Sequence, residues 1–271
     1  MAKFLTLNTH SWMEEEQETK LNQLAERILQ EKYDVICLQE VNQLMESEQV
    51  VQAPFYQAVE GAIAIHQDHF ALCLVKKLAE AGLDYHWSWA YNHIGFDIYN
   101  EGVAILSRKP IAPREILVSE VNDPRDYHTR KVLLAETEVE GQLMTIASCH
   151  LSWWDKGFQG EWSKLEEELL KVKNPLVLMG DFNNPVDYEG YQHILKSPLK
   201  LQDSHKVAQK ISGRTTVEGA IAGWDGNQDA LKIDYIFTSQ GIQIESSAVV
   251  FDGKETPVVS DHFGLEVEAK F

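Results

Sequence analysis

Six of the eight short apolar runs in this 271-residue chain end on, or open from, residues that can hold a metal ion or move a proton. Asn8 closes the first run and Gln39-Glu40 the second, while His150 closes the fifth and Gly180-Asp181-Phe182-Asn183-Asn184 the sixth. Lys232-Ile233-Asp234-Tyr235 opens the seventh and Ser260-Asp261-His262 the eighth. Carboxylates, amides and two histidines gathered at one rim of a sheet make a hard, oxygen-rich site. Such a donor set suits Mg²⁺ or Mn²⁺ better than zinc, which favours more histidine or cysteine. A magnesium site commonly uses one or two protein carboxylates and leaves positions for water and phosphate oxygens.

The elements that must position these residues read as short strands at 4–8, 35–40, 102–106, 132–139, 144–150, 176–180, 233–238 and 264–269. Several are rich in Val and Ile and too short for helices. Between the first two, Leu21, Leu24, Ile28 and Leu29 recur at helical spacing over 14–32, with acids crowding the start as the helix dipole prefers. Further helices are expected over 68–81, stopped by Gly82, over 158–173, stopped by Asn174-Pro175, and over 188–195. The stretches 41–67, 120–130 and 200–230 read as loops, which at such lengths are more often functional than idle. Many strands with interspersed helices imply an α/β or α+β body of layered sheets. No repeat and no Gly/Ser- or Pro-rich linker divides the chain, so one domain over 1–271 is expected.

Composition narrows the partners. Lys+Arg number 24 against Asp+Glu 42, a formal net charge of −18. An acidic protein repels a phosphate backbone unless it carries a local basic stripe, and no such stripe is visible. The apolar fraction of 44% is that of a globular chain and excludes intrinsic disorder. Cys37, Cys73 and Cys149 are odd in number and form no C-x-x-C, which points away from a disulfide framework or cysteine zinc site and towards a reducing compartment. Met1-Ala2-Lys3 leads straight into a strand-like run, no leader pattern follows, and no apolar run approaches the roughly 18 residues of a membrane span. The chain is therefore read as a cytoplasmic protein without stable membrane insertion. Gly-x-Ser-x-Gly and G-x-x-x-x-G-K-[S/T] are both missing, against a serine hydrolase or a P-loop enzyme.

Leu7-Asn8, Leu38-Gln39-Glu40-Val41, the run from Glu101 to Arg108, His150-Leu151, Gly180-Asp181-Phe182-Asn183, Ile233-Asp234-Tyr235 and Ser260-Asp261-His262 stand in an order that resembles the endonuclease/exonuclease/phosphatase superfamily. Deoxyribonuclease I, apurinic endonucleases, neutral sphingomyelinases and inositol-polyphosphate 5-phosphatases belong to it. The resemblance covers residues 4 to about 269. It implies a deoxyribonuclease I-like fold, a four-layer sandwich of two mostly antiparallel sheets flanked by helices. The implied reaction is metal-assisted, in-line attack of water on a phosphorus ester, with Mg²⁺ or Mn²⁺ as cofactor.

By that resemblance Glu40 is the main metal-ligating carboxylate, Asn8 its neighbour, and Asp261 a second metal-side carboxylate. Asp181 deprotonates the attacking water, Asn183 contacts the phosphate, and Asp234 fixes an imidazolium at His262. His150, with Glu101 as its partner, matches a second histidine of the deoxyribonuclease and sphingomyelinase branches, where apurinic endonucleases carry tyrosine. Arg130 is a candidate phosphate clamp, since guanidinium matches phosphate oxygens in a bidentate way. Trp153, Trp154 and Trp224 are candidate aromatic walls for the substrate. With the charge balance above, a small soluble phosphoester is the expected substrate and DNA or RNA the alternative. A catalytically silent binding module on the same fold is the remaining reading.

Overall fold

The computed structural model of the chain describes residues 1–271. Its strands are β1 (Ala2–Asn8), β2 (Val35–Leu44), β3 (His86–Gly95), β4 (Tyr99–Ser107), β5 (Ile111–Leu117), β6 (Lys131–Val139), β7 (Gln142–His150), β8 (Leu176–Asp181), β9 (Leu201–Asp203), β10 (Lys210–Ser212), β11 (Val217–Glu218), β12 (Ala230–Leu231), β13 (Asp234–Ser239), β14 (Gln243–Val250) and β15 (Gly264–Lys270). Its helices are α1 (Gln17–Glu31), α2 (Phe70–Glu80), α3 (Phe158–Leu169), α4 (Glu189–Leu195) and α5 (Ser204–Val207). Seven strands form one sheet in the order β10-β14-β15-β1-β2-β4-β3, and six form a second in the order β5-β6-β7-β8-β13-β9. Parallel pairing is confined to β1/β2, β7/β8 and β10/β14, so both sheets are mixed but mostly antiparallel.

Why the strands read as unbroken apolar runs follows from what covers each face. In β2, Val35 and Cys37 point into the space between the sheets, where Leu133, Ile146, Val177 and Met179 of the second sheet meet them. Ile36 and Leu38 point outward and are covered by Leu21, Leu24 and Ile28 of α1 and Leu74 and Leu78 of α2. The second sheet repeats the arrangement, with Leu134, Ala147 and Leu178 under Phe158, Trp162 and Leu165 of α3 and Tyr191 of α4. Side chains alternate between faces along a strand, so a strand buried on both faces is apolar at every position. The result is four layers, helix, sheet, sheet, helix, as the family resemblance implied. No helix is long and apolar enough to cross a membrane.

All eight expected strands form, and three long ones escape the periodicity. β3 is His-Trp-Ser-Trp-Ala-Tyr-Asn-His-Ile-Gly, in which aromatic and polar residues replace Val and Ile. β5 contains Pro113 and lies at a sheet edge, where a missing N–H costs no ladder bond. β14, Gln-Ile-Glu-Ser-Ser-Ala-Val-Val, carries its polar residues mid-strand. The helices are shorter than the apolar pattern suggests: α1 begins at Gln17 after a 3₁₀ turn at Ser11–Met13, and α3 ends at Leu169. The stretch 200–230 carries the short elements β9, α5, β10 and β11.

One glycine decides how closely two strands meet beside the polar rim. Gly180 pairs with Cys149 across the parallel β7/β8 ladder and has φ 146°. A Cβ there would overlap the Cys149 carbonyl oxygen, and the next pair along the ladder is His150 with Asp181. Gly180→Ala is therefore expected to lower stability by about 3 kcal/mol or more, because rigid backbone must move. Gly160 sits in α3 with open space where its Cβ would go, so Gly160→Ala should raise stability by about 0.4–1 kcal/mol. Urea unfolding of the two variants checks both signs.

Candidate active site

Strand pairing delivers the polar rim. Asp181 ends β8 directly opposite Asp234 on antiparallel β13 and beside His150 on parallel β7, which puts three titratable groups in one row of the second sheet. The facing sheet contributes Asn8 from the end of β1 and Glu40 from β2. Glu40 projects because β2 bulges. Leu38 pairs with Ala104 but Val41 pairs with Gly102, so Gln39 and Glu40 together oppose a single residue, and Glu40 takes φ 52°. Bulges of this kind re-aim one side chain without ending the strand. The Ser260 hydroxyl donates to the Asn8 carbonyl oxygen at 2.7 Å and so ties the segment carrying His262 to the end of β1.

Asp181 is the hub of the contacts. Its Oδ2 accepts from Asn8 Nδ2 at 3.2 Å and Asn183 Nδ2 at 3.4 Å, and its Oδ1 accepts from the Asn183 backbone N–H at 2.9 Å. His262 Nε2 and His150 Nε2 stand 3.8 and 3.7 Å from the same Oδ2. Asn8 Nδ2 also donates to Glu40 Oε1 at 2.9 Å, so one amide bridges two carboxylates. His262 Nδ1 bonds Asp234 Oδ2 at 3.0 Å. Glu40, His150, Asp181, Asn183 and His262 open into a cleft of about 230 Å³, also lined by His93, Phe96, Tyr127, Arg130 and Trp153.

Burial dominates the electrostatics. It pushes Asp181 up to about 7, with the charge of Asp234 adding to the effect and His262 opposing it. Burial raises Glu40 to about 7 as well, reinforced by Glu101 and Asp261. For His262 burial opposes the charged form, yet Asp234 more than offsets it and the imidazole is held up to about 10. His150 goes the other way: burial, then the charge of Arg130, hold it well below its ordinary value. Arg130 Nη1 lies 3.2 Å from His150 Nδ1. A guanidinium can only donate, so Nδ1 accepts and the single ring proton of neutral His150 sits on Nε2, facing the cleft.

A divalent cation fits beside Glu40. Two massed carboxylates, Glu40 and Glu101, face the cleft, and Glu101 Oε2 is buried without a hydrogen-bond partner. The available donors are oxygens, the chemistry of a hard cation. Two clusters of ligating side chains, Asp181/Asp234/His262 and His10/Glu14/Asp261, each hold their ligand atoms within 4.8 Å of one another. Each already contains a cation. His262 is one, and in the second group His10 is held up to about 9: burial lowers it, but the hydrogen bond it donates to Glu14 and the charge of Asp261 prevail.

Several sequence expectations change. Glu101 is not the partner of His150; it faces His93 Nε2 at 3.4 Å because β3 and β4 pair those two residues, and Arg130 takes its place at the His150 ring. Asn8, expected as the neighbour of Glu40, turns its amide nitrogen towards both carboxylates, and its oxygen accepts from the His10 backbone N–H. Asp261 lies outside the cleft lining and is met by His10 at 3.9 Å. Trp154 packs on Phe158 and His193, away from the cleft. Trp224 is no wall either: its Nε1 donates to Asn183 Oδ1 at 2.8 Å, while Asn183 Nδ2 donates to the Leu151 carbonyl. Trp153 does line the cleft, held where a Cβ on Gly223 would overlap its ring. Sequence reasoning missed His10, Glu14, His93, Phe96 and Tyr127. His93 carries the one available signal, a histidine in a run rich in aromatic residues.

The sequence pattern of the Endonuclease/Exonuclease/phosphatase family matches residues 13–262. An endonuclease/exonuclease/phosphatase family protein from Leptotrichia buccalis is 33% identical over 100% of both chains, with a TM-score of 0.86. Two more distant structures share the fold. The mannosyl-6-phosphatase Bt3783 of Bacteroides thetaiotaomicron is 17% identical over 100% of both chains, with a TM-score of 0.62. The human Nocturnin catalytic domain with bound sulfate is 20% identical over 100% of this chain and 93% of that one, with a TM-score of 0.67. No functionally curated protein matches. On the family pattern and the full-length relative together, the chain belongs to the endonuclease/exonuclease/phosphatase family.

Proposed function

We propose that this protein is a Mg²⁺- or Mn²⁺-dependent phosphoesterase that hydrolyses a small, soluble phosphate ester by in-line attack of water. The observation that carries the reading is the opposed pair of titrations around one carboxylate: Asp181, poised near neutrality, sits between an imidazolium at His262 and a neutral Nε2–H at His150. Groups pushed apart in this way by their surroundings take different acid–base roles.

The roles follow from how each atom is held. Asp181 Oδ2 accepts the proton of the attacking water, and Asn8 and Asn183 hold that oxygen in place. Asn183 is itself fixed by Trp224 and Leu151, so it acts chiefly by orienting Asp181. His262, locked by Asp234, presents its Nε2–H to the negative charge that grows on the phosphate, an electrostatic contribution that a pre-oriented dipole makes without reorganisation. Neutral His150 offers a hydrogen bond through Nε2 to a phosphate oxygen and keeps its own proton. Glu40 and Glu101 would hold the cation, with Asp261 adding negative charge nearby. When bound, the cation neutralises phosphate charge and makes phosphorus more electrophilic.

A small substrate suits the cleft. Arg130 is the one Lys or Arg among its 15 lining residues, whereas a duplex needs cations along many phosphates. Three free cysteines, two of them buried, suit a reducing compartment, and we assign the enzyme to the cytoplasm. We also read the chain as one domain, since the proposed site draws on residues from Asn8 to His262.

EDTA should abolish hydrolysis of an activated phosphoester, and Mg²⁺ or Mn²⁺ should restore it; full turnover in EDTA would rule out the cofactor assignment. Asp181→Ala and His262→Ala should each lower kcat by about 10²-fold or more. Near-wild-type kcat in both would overturn the assigned roles. A pH profile tests His262 directly. Its folded pKa of about 10 lies above the ordinary 6.5, so the Asp234 pair contributes stability fully below about pH 6.5 and loses it as pH rises through about 10. Turnover should fall through the same upper limit, and Asp234→Asn should move that fall to lower pH.

A further inference from the structure

A second cleft, of about 1070 Å³, is lined by Lys206, Arg214, Lys232 and Lys254 against the carboxylates of Asp187 and Asp203. In a chain of net charge −18, four cations around one concavity invert the local sign. Asp187, Asp203 and the Asp252 that pairs with Lys254 offset them only in part. Asp203 is already engaged, accepting from Lys232 Nζ at 3.3 Å and from the Tyr191 hydroxyl at 3.1 Å. Lys232 is buried beside it, its ammonium 3.8 Å from the centre of the Tyr235 ring. Lys254 is paired with Asp252 at 2.8 Å. Lys206 and Arg214 are exposed on the cleft wall and form no ion pair. An unpaired arginine and lysine beside a fixed, buried ammonium make a receptor for a compact polyanion, because guanidinium and ammonium donors match phosphoryl oxygens.

Two chain segments run from one cleft to the other. The turn that begins with Asn183 in the active site continues through Pro185 to Asp187 in the basic cleft, and the strand that begins with Asp234 is preceded by Lys232. Thr216 stitches the partition: its Oγ1 accepts from the N–H groups of Ile233 and Asp234, and its carbonyl accepts from the N–H of Phe263, next to His262. We propose that the basic cleft binds a phosphoryl group other than the one being hydrolysed, carried either by the substrate itself or by a separate phosphate compound. As a subsite for the substrate it rests on the phosphoesterase reading; as an anion site it does not.

The test separates the two. Sodium pyrophosphate is titrated into the intact, metal-free protein in EDTA, with amide shifts followed by heteronuclear NMR. Shifts at Lys206, Gly213 and Arg214 are expected, and Lys206→Ala/Arg214→Ala should weaken that binding by about tenfold or more. Lys76→Ala/Lys77→Ala, which removes equal charge from α2, should leave it unchanged. Equal affinity in the Lys206/Arg214 variant, equal loss in the Lys76/Lys77 variant, or shifts confined to the surroundings of His262 would each overturn the proposal. With Mg²⁺ present, KM is then compared for an ester with one phosphoryl group and an ester with two. A rise in the Lys206/Arg214 variant confined to the doubly phosphorylated ester assigns the bound group to the substrate. Unchanged KM for both, alongside lost pyrophosphate binding, assigns it to a separate compound. The binding arm needs no turnover, so it stands even if the hydrolysis reading fails.

Discussion

Two carboxylates on adjacent antiparallel strands, Asp181 and Asp234, face each other with both side chains buried. Like charges so close cannot both ionise in a dry environment without help, and the surrounding structure reads as the means of supplying it. His262 is wedged against both and carries the positive charge. The amides of Asn8 and Asn183 and one backbone N–H spend their donors on Asp181. Even so, Asp181 stays near neutrality while His262 is driven far above its ordinary range. The strand pairing that creates the conflict also creates the difference in proton affinity that catalysis can use.

Glu40 extends the same constraint to the facing sheet. Its bulge turns a carboxylate out of the inter-sheet core, and Glu101 and Asp261 add to its charge. Where the second sheet answers its buried acids with an internal cation, the rim around Glu40 and Glu101 has His10, His93 and the neutral His150 near it, and Glu101 Oε2 is left without a partner. That asymmetry distinguishes the two halves of the cleft: one is electrostatically complete within the protein, the other calls for a cation from solution. Arg130 belongs to the first kind. Buried against His150, it holds a tautomer through Nη1, while its Nε is left without a partner and its side chain lines the cleft.

What could be read from the chain divides along physical lines. Strands buried on both faces were legible because every position is apolar, as at Ile36, Cys37 and Leu38, and the polar residue that ends such a run marks the rim. Asn8, Glu40, His150 and Asp181 all stand out in this way, and the layered fold follows from the covered faces. Partners were not legible, because they depend on register. Glu101 pairs with His93 because β3 and β4 align them through a second irregularity between Tyr91 and His93, which no local pattern announces. His10 escaped for a related reason: it has φ 46° and Ser11 φ 40°, a backbone excursion that turns the chain sharply and brings a loop histidine back to Asp261. Trp224 lies 41 residues from Asn183, and only the folded loop reveals that it is a donor to that amide and not a wall.

The net charge of −18 gains a local meaning from the two clefts. Long-range repulsion of anions is screened over about 8–10 Å at physiological salt, so what a phosphate compound meets at contact distance is the lining, not the total. In the active site that lining holds three carboxylates against one arginine and the His262 imidazolium, which favours a cation first and a phosphate after it. In the basic cleft the order is reversed, since Lys206 and Arg214 are already unpaired. A compound with two phosphoryl groups would meet an attraction that needs no cation on one side of the Thr216 partition and one that does on the other. On the proposed function, surface acidity would then disfavour extended polyanions, which cannot avoid the rest of the surface, more than compact ones.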